Sequence, residues 1–196
     1  MLDIEWDTAT WLNEPPDVRV DGRDLVVTTS AKTDFWRTTN YGYITDNGHA
    51  LLAPAPLGNH MAVHVTFEAD SKNLYDQAGV LVRVDAEHWL KAGVEMAGGL
   101  LVGAVMTNGV SDWSQAPVPE WADRSVTIKV HRVDDSLIVW AGAGDEDLRQ
   151  IRLAPLAPDA VAMAGPYCCS PTGGGMRVRF TRFAMEWSQW GKHPQE

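Results

Sequence analysis

Two neighbouring segments of the chain place polar and aromatic side chains at alternate positions, in a pattern that could bind a polar ligand. Trp89, Lys91 and Glu95 occupy odd positions of one segment, and Gln77 lies in the segment before it. Successive residues of a strand point to opposite faces, so residues of equal parity share a face. Carboxylate, amide and ammonium groups bind hydroxyls, and an aromatic face packs against the C–H side of a sugar. We therefore predict that these four side chains line one cavity for a polyhydroxylated ligand.

Other acidic and aromatic residues lie in segments rich in turn-forming residues that could rim the same cavity. Asp34 and Trp36 belong to the sequence TDFW, and Asp112 and Trp113 belong to SDWS, which we place in a loop. Tyr75 precedes Gln77 and adds a further aromatic ring. Asp and Ser also stabilise turns by bonding to their own backbone, so a turn role stays open for each Asp.

A purely structural role is the alternative for the whole set. The nine Trp residues could fill a hydrophobic core, and Lys91 could pair with Glu95 to fix packing. Charged groups opposite a clean apolar face favour a pocket instead. We predict that this apolar face belongs to the core, with Val80, Val82, Leu90, Val94 and Met96.

Catalytic motifs are not evident in the chain. Hydrolysis of a glycoside by two carboxylates is conceivable with Glu95, Asp34, Asp76 and Asp112, but GxSxG, P-loop and GxGxxG patterns are missing. Cys168 and Cys169 are adjacent and would point to opposite faces of a strand, and the six His show no zinc-binding spacing. We predict no catalytic residues, no metal and no cofactor, and we lean towards a protein that is not an enzyme.

The elements that must position these residues are short strands. Period-two segments bounded by Gly, Pro, Asn or Asp recur along the chain, and helical periodicity does not. Gly98-Gly99 and Asp134-Asp135 are suited to hairpin turns. We predict an all-β protein, a two-sheet antiparallel β-sandwich or jelly roll, in which the first and last strands pair.

Composition limits the partners. Sixteen basic and twenty-six acidic residues give a net charge of −10, which opposes binding to nucleic acids and anionic membranes. The N-terminus has neither the basic nor the apolar region of a signal peptide, so we expect a cytoplasmic protein. A length of 196 residues without a linker suits a single domain spanning 1–196.

Several phrases of the sequence together resemble a known family. They are TDFWRTTNYGYITDNGHAL from Thr33, YDQAGVLVRVD from Tyr75, HWLKAGVE from His88, TNGVSDWS from Thr107 and GPYCCSP from Gly165. The resemblance is to the DUF1349 family and covers roughly residues 6–187. It implies a concanavalin A-like lectin/glucanase sandwich. Fungal members of this family are described as regulators of enolase.

The resemblance leaves the activity open, because fold does not determine function. The glucanase branch of this superfamily carries its acids on one strand in an ExDxE pattern, whereas GVEMA around Glu95 offers one acid. We expect non-catalytic binding of a carbohydrate or small polyhydroxylated metabolite. The alternatives are a regulatory module that binds a metabolic enzyme and, third, a glycoside hydrolase or lyase.

Overall fold

Strands make up nearly all of the regular structure. The computed structural model describes residues 1–55 and 60–188, and within them the regular elements are seventeen strands and two short 3-10 helices, Trp6–Thr8 and Pro119–Trp121. The strands are β1 (Leu2–Asp3), β2 (Thr10–Leu12), β3 (Asp17–Asp21), β4 (Asp24–Thr28), β5 (Phe35–Arg37), β6 (Ile44–Asp46), β7 (His49–Pro54), β8 (His60–Ala69), β9 (Gln77–Arg83), β10 (His88–Met96), β11 (Leu100–Asn108), β12 (Val110–Pro117), β13 (Val126–Val133), β14 (Ser136–Ala143), β15 (Arg149–Pro155), β16 (Met163–Cys169) and β17 (Arg177–Trp187).

Two antiparallel sheets face each other, as the sequence predicts. In the described residues the first sheet has the order β15-β14-β13-β8-β17-β4-β3, with β1 paired to β17. The second has the order β12-β11-β10-β9-β16-β7-β2. Leu2 lies opposite Met185, which confirms that the first and last strands pair. The predicted domain 1–196 also includes residues 56–59 and 189–196, which lie outside the described residues.

The main hydrophobic core lies between these sheets. Val80, Val82, Leu90 and Val94 belong to it, each at most 3% exposed, which confirms the predicted parity of β9 and β10. Met96 was predicted in the same core but is only half-buried, because it ends β10 beside the Gly98-Gly99 turn.

In the described part of the chain, no helix has the length and apolar character needed to cross a membrane.

The predicted hairpins form, but one predicted loop is a strand. Gly98 and Gly99 connect β10 to β11, and Asp134 and Asp135 connect β13 to β14. The sequence SDWS lies inside β12, which pairs with β11 along its full length. The prediction of a loop was wrong because the pairing partner of β12 compensates for its weakly strand-forming residues, Asp and Ser.

A second apolar cluster covers the outer face of the second sheet. The hairpin of β5 and β6 lies over this face and places Phe35 against Trp89, with ring centroids 6.1 Å apart. Two side-chain contacts anchor the hairpin: Arg83 donates two hydrogen bonds of 2.7 Å to Asp46, and Ser111 Oγ accepts one from the amide of Arg37. The hairpin thus converts half of an exposed sheet face into a small core with a polar pocket beside it.

Candidate functional site

The floor of the pocket is formed by β9 and β10. Gln77 lies directly opposite Glu95 in the register of these strands, and Lys91 lies four residues before Glu95 on the same face of β10. The space between the lining residues of the pocket is about 420 Å³, including the open mouth, and it is open to solvent.

Glycines shape the floor between these polar side chains. Gly79 and Gly93 face each other across β9 and β10, and a Cβ on either would lie 2.0 Å from a carbonyl oxygen of the partner strand. Gly93 and Gly103 also line an adjoining depression of about 270 Å³ that Glu95 and Trp113 border. Only glycine permits this close approach of the strands, and the missing side chains deepen the floor.

Asp34 reaches the pocket from the segment before β5 and forms an ion pair with Lys91. Lys91 Nζ donates a hydrogen bond of 2.7 Å to Asp34 Oδ1, and the Lys91 side chain is 3% exposed. The same oxygen accepts a hydrogen bond of 2.8 Å from the backbone amide of Phe35. Burial lowers the pKa of Lys91, but Asp34, Cys169 and Glu95 together outweigh burial and raise the pKa above its ordinary value. Lys91 is therefore a buried, charged and paired group, and its partner is Asp34 instead of Glu95.

Glu95 is the polar group of the floor that has an unsatisfied atom. Its Oε1 is buried and has no hydrogen-bond partner within the described residues. Burial raises the pKa of Glu95 to about 7, opposed by Lys91 and assisted by Asp34. A buried carboxylate oxygen without a donor costs free energy, so a donor from a bound molecule would be favourable.

Aromatic rings form the walls. Trp36 packs edge-on against Tyr41 and against Trp113, with ring centroids 5.4 and 6.2 Å away. Tyr41 and Tyr43 stack on each other at 5.8 Å and are 45% and 46% exposed. Tyr75 completes the wall beside Gln77. The pocket thus combines a charged floor with a rim of rings, as in many sites for polar organic molecules.

The structure brings seven of the nine predicted site residues to this pocket. They are Asp34, Trp36, Tyr75, Gln77, Lys91, Glu95 and Trp113. Their role in binding a ligand stays a prediction.

Trp89 and Asp112 do not line the pocket. Trp89 has the predicted parity, but it is 1% exposed under Phe35 and donates its indole N–H to the carbonyl of Ala86. Asp112 lies between Ser111 and Trp113 on β12, so it points to the opposite face and pairs with Arg152 at 2.9 Å. The first prediction failed because parity does not reveal what covers a face, and the second because parity was not applied to a presumed loop.

Four residues that line the pocket are outside the predicted set of nine: Tyr41, Tyr43, Val105 and Pro171. Tyr41 and Tyr43 flank a glycine in YGY, and Pro171 follows β16 in GPYCCSP. The repeated aromatic of YGY was a usable signal. Arg83 shares the predicted face but is bound to Asp46 of the hairpin.

The described residues show no assembled metal site. Within 1–55 and 60–188, no three His, Cys, Asp or Glu side chains come together as such a site requires. Cys168 and Cys169 are free thiols on opposite faces of β16, one in each hydrophobic cluster.

Glu95 should make the stability of the fold fall as the pH rises. Its carboxyl has a pKa of about 7 in the folded protein and 4.5 as its ordinary value. The folded protein therefore holds this proton more tightly, and the stabilisation is lost as the pH rises through 7. Between pH 5 and pH 8 the wild type should lose about 2 to 3 kcal/mol of unfolding free energy relative to Glu95→Gln.

Urea unfolding of both proteins at each pH measures this difference. The lowered pKa values of His49, His64 and His131 act in the opposite direction below about pH 6.5, but they are common to both proteins and cancel. A difference between the two proteins that stays constant with pH would contradict the raised pKa of Glu95.

The fold and this pocket define the protein as a concanavalin A-like β-sandwich with a polar, aromatic pocket on the outer face of one sheet. The chain belongs to the family described as "Protein of unknown function (DUF1349)", whose model matches residues 11–187.

Two similar proteins support this assignment, and a third shares the fold. "Regulation of enolase protein 1" of Saccharomyces cerevisiae is 37% identical over 182 residues, which cover 92% of this chain and 90% of the relative. A crystal structure of a functionally unknown protein from Saccharomyces cerevisiae has a TM-score of 0.89 at 34% identity, covering 95% of this chain and all of that one. A legume lectin-like domain from Entamoeba histolytica shares the fold alone, with a TM-score of 0.62 at 8% identity over 92% of this chain and 90% of that domain.

Proposed function

We propose that the pocket binds a carbohydrate or a small polyhydroxylated metabolite without transforming it. The observation that carries this proposal is that Oε1 of Glu95, on a floor walled by aromatic rings, is buried and has no hydrogen-bond partner in the part of the chain that the structure describes. Hydroxyl groups would supply the missing donor, and the rings would pack against C–H groups of the same molecule.

The arrangement of the two carboxylates supports binding over hydrolysis. Glycoside hydrolysis by the common routes needs one carboxylic acid and one carboxylate, each available to the substrate. Asp34 Oδ1 already accepts hydrogen bonds from Lys91 and from the amide of Phe35. Among the described residues, Glu95 is then the pocket carboxylate that has no ion pair.

Titration with a panel of mono- and oligosaccharides tests this function. We expect at least one ligand with a Kd of roughly micromolar to millimolar, because an open pocket desolvates few ligand atoms. Glu95→Gln and Trp113→Ala should each weaken it about tenfold or more, since one removes a charged acceptor and the other a wall. Asp112→Asn is the matched control, because Asp112 neighbours Trp113 but points away from the pocket towards Arg152.

Two results would overturn the proposal. Equal losses of affinity in Asp112→Asn and Glu95→Gln would place the binding elsewhere. If the wild type released product from a chromogenic glycoside and Glu95→Gln did not, the function of the pocket would be hydrolysis instead of binding alone.

A regulatory role is the second candidate, and the name of the yeast relative favours it. That relative is called "Regulation of enolase protein 1" and matches nearly the whole chain. Here the exposed rim of Tyr41, Tyr43 and Ile44 would contact a metabolic enzyme. This role would be favoured over the first by two results together. A metabolic enzyme would co-purify stoichiometrically with the wild type but not with Tyr43→Ser, and titration would show no binding of sugars.

A further inference from the structure

The charges of the pocket do not balance. Asp34 and Lys91 neutralise each other at 2.7 Å, which leaves Glu95 as the remaining charged group among the described residues that line the pocket. When Glu95 is ionised, the pocket carries one net negative charge. The protein as a whole adds a net charge of −10 to the surrounding field.

The rim is suited to a cation as well as to a sugar ring. Trp36, Tyr41, Tyr43, Tyr75 and Trp113 bring five rings around one opening. Their mutual contacts are mostly edge to face, so that several ring faces stay directed away from one another. The face of an aromatic ring is negative and attracts ammonium groups, most strongly where water is excluded.

The charged groups around Glu95 do not neutralise its carboxylate. Lys91, two pleats away on β10, is the cation beside it, and Lys91 is committed to Asp34. The other titratable groups whose charges act on Glu95 are neutral or acidic side chains from the loop before β9, from the segment before β5 and from β16. They are Tyr75, Asp34, Tyr167 and Cys169.

We infer that the ligand of this pocket is a polyhydroxylated molecule that carries a protonated amine, such as an amino sugar, with the ammonium group bound to Glu95 and enclosed by the aromatic rim. This inference rests on the proposed function and specifies the chemical class of its ligand. A neutral sugar would satisfy Glu95 through a hydroxyl but leave its charge unbalanced, and an acidic sugar would place a second negative charge beside it.

Binding of an ammonium group should release a proton. Free Glu95 has a pKa of about 7, so near neutral pH it is partly protonated. An adjacent ammonium favours the ionised carboxylate and lowers this pKa. Titration at pH 6.5 in buffers with different ionisation enthalpies should therefore show net proton release with an amine-bearing sugar.

A matched series of D-glucosamine, D-glucose, N-acetyl-D-glucosamine and D-glucuronate tests the inference. The first two differ by an ammonium in place of one hydroxyl, and N-acetylation removes the charge while keeping the nitrogen. We expect glucosamine to bind about tenfold more tightly than glucose, with glucuronate the weakest. In Glu95→Gln the ratio of glucosamine to glucose affinity should fall to near one, and in Asp112→Asn it should stay as in the wild type.

The outcomes separate this inference from the function on which it rests. Glucose or N-acetylglucosamine binding as tightly as glucosamine, with Glu95→Gln weakening all of them, would overturn the inference and leave the proposed function standing. If none of the four sugars bound to the wild-type protein, both the inference and the proposed function would be overturned. A tenfold preference for glucosamine over glucose that persists in Glu95→Gln would also contradict the inference, because other residues would then bind the ammonium group.

Discussion

Replacing Lys91 with methionine should lower the free energy of unfolding by about 3 to 5 kcal/mol. The methionine fills the space of the lysine stem, but it leaves the buried Asp34 carboxylate without its cation, close to Glu95. Urea unfolding followed by far-ultraviolet circular dichroism at pH 7 measures the effect. A loss below about 1 kcal/mol would mean that the Lys91–Asp34 pair is open to water.

Two further variants isolate the cause. Lys72 pairs with Asp70 at 2.5 Å, but the Lys72 side chain is 70% exposed, so Lys72→Met should change stability by about 0.5 kcal/mol or less. The double variant Asp34→Asn with Lys91→Met removes both charges and keeps an acceptor for the Phe35 amide. It should be more stable than Lys91→Met alone by at least about 1 kcal/mol, as expected when an uncompensated charge dominates the cost.

Truncation of Trp89 should destabilise the fold to a similar extent. Its side chain is 1% exposed, packs against Phe35 and donates to the carbonyl of Ala86, so Trp89→Ala should cost about 3 to 5 kcal/mol. The matched control is Trp187→Ala, because Trp187 is 59% exposed and should lose little. Thermal and urea unfolding of both variants compare the two sites.

This result also decides how Trp89 can be used in binding experiments. Loss of ligand binding in Trp89→Ala would reflect a disturbed second cluster, because Trp89 is covered by the β5–β6 hairpin and does not line the pocket. Trp113→Ala is the appropriate variant for the aromatic wall. A Trp89→Ala protein as stable as the wild type would contradict the packing described for this face.

The parity of β9 and β10 was readable from the sequence, and it correctly placed Gln77, Lys91 and Glu95 on one face. Alternation is a local property with a period of two residues, and each position follows from its neighbours once a strand is recognised. The hairpin turns were readable from the local pairs Gly98-Gly99 and Asp134-Asp135, and the pairing of the terminal strands was also predicted correctly, although it is a long-range contact. The motifs of the DUF1349 family indicated the family, which the match over residues 11–187 confirms, and implied a two-sheet sandwich, which the two antiparallel sheets confirm.

Other features depended on which segments fold over the sheet. The partner of Lys91 is Asp34, fifty-seven positions earlier in the chain, and no local pattern distinguishes it from Glu95 on the same strand. Trp89 has the parity of a pocket residue, yet the hairpin carrying Phe35 buries it.

The amino-acid sequence by itself therefore determined the faces of β9 and β10 and the polar floor of the pocket, because these follow from local alternation, whereas it misassigned part of β12 as a loop. The tertiary structure decided which floor residues are exposed, which charges are paired and which carboxylate is left without a donor. Those properties arise from long-range contacts that exclude water, and water exclusion sets both the cost of a buried charge and the pKa of Glu95.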